Sequence, residues 1–455
     1  MPFDMRRMPK RVSVLYFLFG ILFMMITLIP GTPIAQARPL FAATPSISVS
    51  TPGSLMIGQD FTFTVSFDNT GSSTGYGPFV DVIFPVNGVD GDPYATPAEV
   101  QDGIDFDATL GATYLGSKLE CTVREFNSSG RAIHPYARDT NGDYLVVTGD
   151  GGDKLVSCKL PFGSFVPSQP SVSVIFNATL SELADSSAPL PIRARGGFMY
   201  GSDPLDNWCC DAIILSPSSN TSSTWQGGSP ATVTPSILTM SKSGSPPESE
   251  TATGPNFPRT YTINVDIAAG QIVDNLTIGD SLPDNVQFIA MISPASCATE
   301  PSTTTPGGTL LCDLGSVTGG AGNDAQVQFS FYVPLEDAAA SRVLPATTGA
   351  SSTSENDAYV EGDWLPKDTR DQPSQHLAVG TPPSVDYAHT NKSIPVQKSS
   401  SVVGGGDAIP GATLEFTIEF QVSDYFAFGA VFLEDVISDD LHVDAAFTPT
   451  LQING

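Results

Sequence analysis

Oxygen-bearing side chains at alternate positions are the first sign of chemistry in this chain. Asp139-Thr140-Asn141-Gly142-Asp143 places oxygens at i, i+2 and i+4, the spacing of a calcium loop, and Asp150-Gly151-Gly152-Asp153 follows it. Ca²⁺ takes roughly six to eight oxygens from a flexible loop. Two further acidic loops carry Asn87, Asp90 and Asp92, and Asp203, Asp206 and Asn207. The first pattern departs from a full calcium loop, because Tyr144 stands where glycine is expected and Asp150 stands in place of a bidentate glutamate. Asn-Gly-Asp is also a common hairpin turn. Asp139, Asn141 and Asp143 are therefore carried forward as weak candidate ligands of a structural Ca²⁺, and no other cofactor is expected.

Nucleophilic chemistry finds less support. Gly71-Ser72-Ser73-Thr74-Gly75 fits G-x-S-x-G, but a nucleophile elbow needs a strand before it and a helix after it. Tyr76-Gly77-Pro78 cannot open that helix, and histidine occurs only at 134, 376, 389 and 442. No enzyme acting on a diffusible substrate is expected. Leu344-Pro345-Ala346-Thr347-Thr348-Gly349 resembles a sortase signal with one threonine too many and no apolar tail, so it reads as a loop. Trp208, Trp225 and Trp364 could stack on sugars, but isolated tryptophans in β-proteins more often plug the core. Six cysteines in an exported chain suggest disulfides. Cys297 and Cys312 flank a short Thr/Pro/Gly loop, Cys121 and Cys158 form a second candidate pair, and Cys209 and Cys210 are adjacent. Spacing leaves the pairing open. No C-x-x-C occurs and no histidine sits beside a cysteine, so zinc is not expected.

Export itself is read from the first 37 residues. Arg6, Arg7, Lys10 and Arg11 precede an apolar run from Val12 to Ile29, and Ala35-Gln36-Ala37 offers a cleavage point. Pro30, Gly31 and Pro33 break the helix just before it, which favours cleavage; left uncleaved, residues 12–29 could just span a bilayer. The whole sequence of 455 residues carries a net charge of −28, and removal of the leader brings it to about −31. That sign opposes nucleic acid and anionic membrane surfaces. The expected setting is extracellular.

The elements that must position these residues are strands. Phe61, Phe63, Val65 and Phe67 alternate with Thr62, Thr64, Ser66 and Asp68, and Val172, Val174, Phe176, Ala178 and Leu180 do the same. No window shows a convincing helical stripe. A long-range repeat is also present: YTINVDIAAGQIVDNLTIGDSLPDNVQF at 261–288 matches FTIEFQVSDYFAFGAVFLEDVISDDLHV at 416–443 in hydrophobic phase. Ile263 meets Ile418, Asp280 meets Asp435, and upstream Lys242 meets Lys398 with a one-residue slip. The predicted organisation is a signal peptide (1–37), an N-terminal β-sandwich with long loops (45–215) and a Ser/Thr/Pro-rich linker (216–236). A second β-sandwich (237–366), a polar linker (367–392) and an incomplete third module (393–455) follow. A sandwich cut after a few strands leaves an open edge, and the third module is therefore read as part of a longer chain.

The blocks FTFTVSFDN…PFVDVIFP, YTINVDIAAGQ…LTIGDSLPD and EFTIEFQVSD…VFLEDVISDD, with Asn356-Asp357-Ala358-Tyr359-Val360 near the second module's end, carry a family resemblance. The chain resembles the DUF11-like and isopeptide-forming fimbrial-type repeat proteins of bacterial cell surfaces. The match covers the second module and the start of the third and is looser in the first. The resemblance implies an all-β fold of tandem immunoglobulin-like β-sandwich modules and a structural or adhesive role. Partners would be cell-envelope or other-cell surface components and further modules of the same chain. It also implies a cross-link in which a buried lysine attacks an asparagine amide, assisted by a carboxylic acid. Lys242 and Asn356 are the candidate partners and Asp266 or Asp280 the candidate acid, while Lys242 as a solvated edge lysine is the plainer reading. A binding module that takes glycan or Ca²⁺ on loops 70–79, 86–105 and 196–213 is the alternative function.

Overall fold

The computed structural model describes residues 42–139, 141–202, 213–228, 230–245, 250–380 and 387–453. The expected signal peptide, Thr140, Asp203, Asp206, Asn207, Trp208 and the Cys209-Cys210 pair lie outside these residues.

The period-2 segments form two immunoglobulin-like β-sandwiches in tandem, and the described residues contain no α-helix. In the first module, Asp60–Asn69 pairs with Pro45–Ser50 on one side and Val172–Leu180 on the other. Phe61, Phe63, Val65 and Phe67 face inward, as their alternation demands. Phe63 stacks on Phe176 at 5.3 Å and meets Phe84 of the facing sheet at 5.6 Å. The facing sheet runs in the order Ser54–Met56, Ala231–Ser236, Leu190–Phe198, Pro78–Phe84, Lys154–Lys159, Cys121–Glu125. Pro78–Phe84 is buried along its whole length. Val80, Val82 and Phe84 enter the main core. The opposite face carries Phe79, Asp81 and Ile83 and is covered by the hairpin of Arg131–Arg138 with Tyr144–Thr148 and by Trp225.

The second module pairs Leu238–Ser245 with Arg259–Ile267, then Ala325–Tyr332, then Gln287–Ser293. Against it lies a sheet ordered Glu250–Ala252, Tyr387–Lys392, Ser351–Trp364, Ile272–Leu282, Gly308–Thr318. Disulfides join Cys121 to Cys158, directly across neighbouring strands, and Cys297 to Cys312.

Both segments read as linkers are built into the sandwiches. Residues 216–236 contain a 3₁₀ turn, Ser222–Gly228, that buries Trp225 completely, and a strand, Ala231–Ser236, that pairs with Leu190–Ile192. The segment's small polar residues mask an alternation that sends Val233 inward. Likewise, Gln375–Val379 and Tyr387–Lys392 both pair with Ser351–Trp364, so residues 367–392 complete the second module's sheet. In the third unit the described strands are Val396–Val402 and Leu414–Phe420, fewer than the three or four expected. Val431 and Leu433, which the repeat aligns with core residues Leu276 and Ile278, are 42% exposed.

Candidate cross-link site

Lys242 sits on the edge strand of its sheet, opposite Ile263. Its side chain nevertheless turns inward and is fully buried, although the strand backbone remains partly exposed. Asp280 lies in the facing sheet, in register with Ala358. Ser354, Asn356, Ala358 and Val360 line the buried face of one strand, so Asn356 is a diagonal neighbour of Asp280 on the same surface. Lys242 Nζ donates to Asp280 Oδ2, and both side chains are 0% exposed. The lysine nitrogen also lies 4.9 Å from the Tyr261 ring centroid, and Tyr261 stacks on Phe331 at 3.9 Å. Asn356 is completely buried, and neither of its side-chain polar atoms has a hydrogen-bond partner of ordinary geometry.

The surroundings are apolar and aromatic. Burial, then the nearby Asp280 carboxylate, holds the Tyr261 hydroxyl well above its usual range. It contacts His389 Nδ1 at 3.1 Å, and burial with the Arg259 charge pushes that imidazole down to about 3. His389 is thus a neutral imidazole, and its tautomer sets the direction of the bond to the tyrosine hydroxyl. In such a low-dielectric box, moving one proton from Lys242 to Asp280 converts an ion pair into a neutral amine and a neutral acid. Those are the forms needed for attack on an amide carbon.

The sequence candidates separate clearly. Lys242, Asp280 and Asn356 converge on one core face, whereas Asp266 does not. Tyr261, Ile263, Val265 and Ile267 point inward, so Asp266 takes the outward phase and its neighbour is Asp324. Tyr261, Arg259 and His389 are contributors that sequence reasoning missed; only Tyr261 carried a signal, through its inward phase beside Lys242. The third unit repeats the arrangement. Lys398 stands opposite Ile418, lies 2.7 Å from Asp435 and 4.5 Å from the Phe416 ring centroid, with side chains 37% and 27% exposed.

Elsewhere, the remaining candidates resolve into structure. Asp139 Oδ1 accepts from the backbone N–H groups of Asn141 and Asp143, and the carboxylates that converge among the described residues lie in other loops. The Gly71–Gly75 loop is pinned by buried Asn69, whose Oδ1 accepts from Thr44 and Gly71 and whose Nδ2 donates to Ser73 and Phe165. Asp81, His134 and Ser157 do meet, fully buried, but both His134 and Ser157 bond to Asp81 rather than to each other. His134 Nδ1 already accepts from the N–H groups of Tyr136 and Ala137, so it cannot serve as base to a serine.

Asp81 also pairs with Arg195 at 2.9 Å, and that guanidinium lies 4.0 Å over the Trp225 ring. Burial alone would raise the Asp81 carboxyl, but His134, Arg195 and Ser157 outweigh it and hold it at about 2. An unfolded chain takes up that proton near pH 4, so the contribution is complete above that pH and is lost as pH falls from about 4 to 2. Acid unfolding followed by near-UV circular dichroism should lose about 2 kcal/mol across this window. An Asp81→Asn variant should show a flatter slope there.

No protein-family model matches the chain, so the DUF11-like resemblance rests on the motifs quoted above. No curated protein matches it either. Among solved structures, it is similar to a 35 kDa C-terminal fragment of the major pilin GBS80 of Streptococcus agalactiae, at 10% identity, with 74% of this chain and 90% of that chain covered and a TM-score of 0.20. It is similar to the Enterococcus faecalis MSCRAMM ACE at 9% identity, covering 78% and 96% respectively, with a TM-score of 0.17. It is also similar to red sea bream transglutaminase at 10% identity, covering 82% and 34%, with a TM-score of 0.24. At these values the likenesses assign neither a family nor an activity.

Proposed function

We propose that the chain is a bacterial cell-surface structural or adhesive protein whose second module braces itself with a Lys242–Asn356 cross-link. The observation that carries this reading is the fully buried Lys242–Asp280 pair beside a buried asparagine amide with no hydrogen-bond partner of ordinary geometry. Neutral Lys242 Nζ attacks Cγ of Asn356, and a new amide C–N bond forms as the C–NH₂ bond breaks. Asp280 protonates the leaving nitrogen and takes the proton released from Nζ, so ammonia departs and the acid is regenerated. The bond would tie the edge strand Leu238–Ser245 to Ser351–Trp364 across the two sheets. Such a tie blocks peeling of an edge strand under tension, which a display rod at a cell surface requires.

Intact mass of the purified chain tests this. The expected species is lighter than the disulfide-bonded sequence by one ammonia, and the difference survives reduction. A full-length mass, with only the hydrogens of Cys121–Cys158 and Cys297–Cys312 missing, overturns the cross-link.

A further inference from the structure

The junction between the two sandwiches gathers five aspartates around one arginine. Asp90 and Asp102 come from the 86–105 loop of the first module, Asp185 from the turn after Val172–Leu180, and Asp368 and Asp371 from the second module. Carboxylate oxygens of Asp90, Asp185 and Asp371 lie within 4.8 Å of one another, as do those of Asp90, Asp102 and Asp368. Arg370 serves one side of the group. It reaches Asp368, Asp90 at 3.2 Å and Asp102 at 3.2 Å, and donates to the carbonyls of Asp90 and Val100. One guanidinium cannot neutralise five carboxylates. Asp102 is 0% exposed, yet its Oδ1 has no hydrogen-bond donor, and Asp185 Oδ2 and Asp371 Oδ2 are buried without one as well. Gly88, at φ +69°, and Gly91 make room for that carboxylate, since a Cβ on Gly88 would sit 2.0 Å from Asp102 Oδ1.

We propose that Asp90, Asp102, Asp185 and Asp371 form a Ca²⁺ site that clamps the first module onto the second, with Arg370 and Asp368 orienting Asp90 and Asp102 from behind. The donors are all oxygens, with no histidine or cysteine among them, which selects a hard cation. They stand on irregular loops rather than in a rigid octahedron, which favours Ca²⁺ over Mg²⁺. The site differs from Asp139, Asn141 and Asp143, and it joins residues from both modules, so a bound ion would stiffen the rod at its joint. Only that stiffening role rests on the structural reading above; metal binding does not depend on the cross-link.

Thermal unfolding of the EDTA-treated full chain, with and without ~5 mM CaCl₂, tests the clamp. The expected result is a rise of ~5 °C with Ca²⁺ and a smaller rise with equal MgCl₂. Asp185→Asn and Asp371→Asn each remove a repelling charge, so in EDTA they should melt at or above the wild-type temperature. In Ca²⁺ they should melt below it, and this crossing excludes a simple folding defect. An Asp139→Asn/Asp143→Asn double variant should keep the full calcium response. No calcium-dependent shift, an equal shift with Mg²⁺, or a shift that persists in both Asp185→Asn and Asp371→Asn would overturn the proposal.

Discussion

Asn356→Ala will melt far below the wild type and will recover the full mass of the sequence. The substitution leaves the Lys242–Asp280 pair in place and removes only the amide that the lysine would attack. A bond between residues 242 and 356 closes a loop of more than a hundred residues, and a covalent tie of that span stabilises by about 4–5 kcal/mol in the chain-entropy account. Calorimetric unfolding should register most of that loss, less the small effect of trimming a buried side chain. Asp280→Ala should do comparable damage by a different route. It abolishes the ammonia loss and strands a lysine in an apolar box, a cost of about 3–5 kcal/mol. A Lys242→Met/Asp280→Leu pair separates the two effects. Apolar replacements of similar volume relieve the buried charges at little cost, yet they cannot form the bond, so this variant should match Asn356→Ala. If Asn356→Ala is as stable as wild type and the wild-type mass is unreduced, the site is an ordinary buried ion pair.

The sandwich was legible because alternation in Asp60–Asn69, Val172–Leu180 and Arg259–Ile267 leaves one face no alternative to burial. The same alternation decides between the candidate acids. Asp266 sits one residue out of phase with Val265 and Ile267, so its carboxylate belongs on the outer face. Asp280 is different. It falls in the buried run Ile278-Gly279-Asp280 near the end of Ile272–Leu282, and a charge there demands a partner across the sandwich. The repeat carried that partner in its Lys242 and Lys398 correspondence, and both hairpins hold the lysine opposite the same isoleucine position. The 216–236 and 367–392 segments misled because threonine, serine and proline suit both linkers and strands, and only tertiary burial, of Trp225 and Val233 in the first and of His389 and Asn391 in the second, distinguishes them. The aspartate junction was signalled in the sequence only through Asp90 in the acidic 86–105 loop. Its members lie at 90, 102, 185, 368 and 371, and nothing local in spacing brings them together.

Asp81→Asn should destabilise the first module by about 3–5 kcal/mol, because it leaves Arg195 as a buried guanidinium without its counterion. Arg195 would keep its bond to the Ser219 carbonyl at 2.8 Å and its stacking on Trp225, but neither supplies negative charge. For a unit of this size the melting temperature should fall by ~10 °C. The loss should spread to the 131–148 hairpin, since His134 reaches the sheet through Asp81 and Trp225 closes the same outer face. Hydrogen exchange should therefore show early opening of Ala132 and Val147 in the variant. An Asp81→Leu/Arg195→Met double variant tests whether the network acts by charge pairing or by shape. Apolar side chains of similar volume can fill the space under Trp225 and dispense with desolvation, so the double variant should recover most of the stability and lose the acid sensitivity between pH 4 and 2. Recovery with a loosened hairpin would mean that the ion pair fixes where the hairpin docks more than how tightly the module folds. A cost below about 1 kcal/mol for Asp81→Asn would instead mean that Arg195 finds another counterion, and the network would lose its claim to hold the outer layer in place.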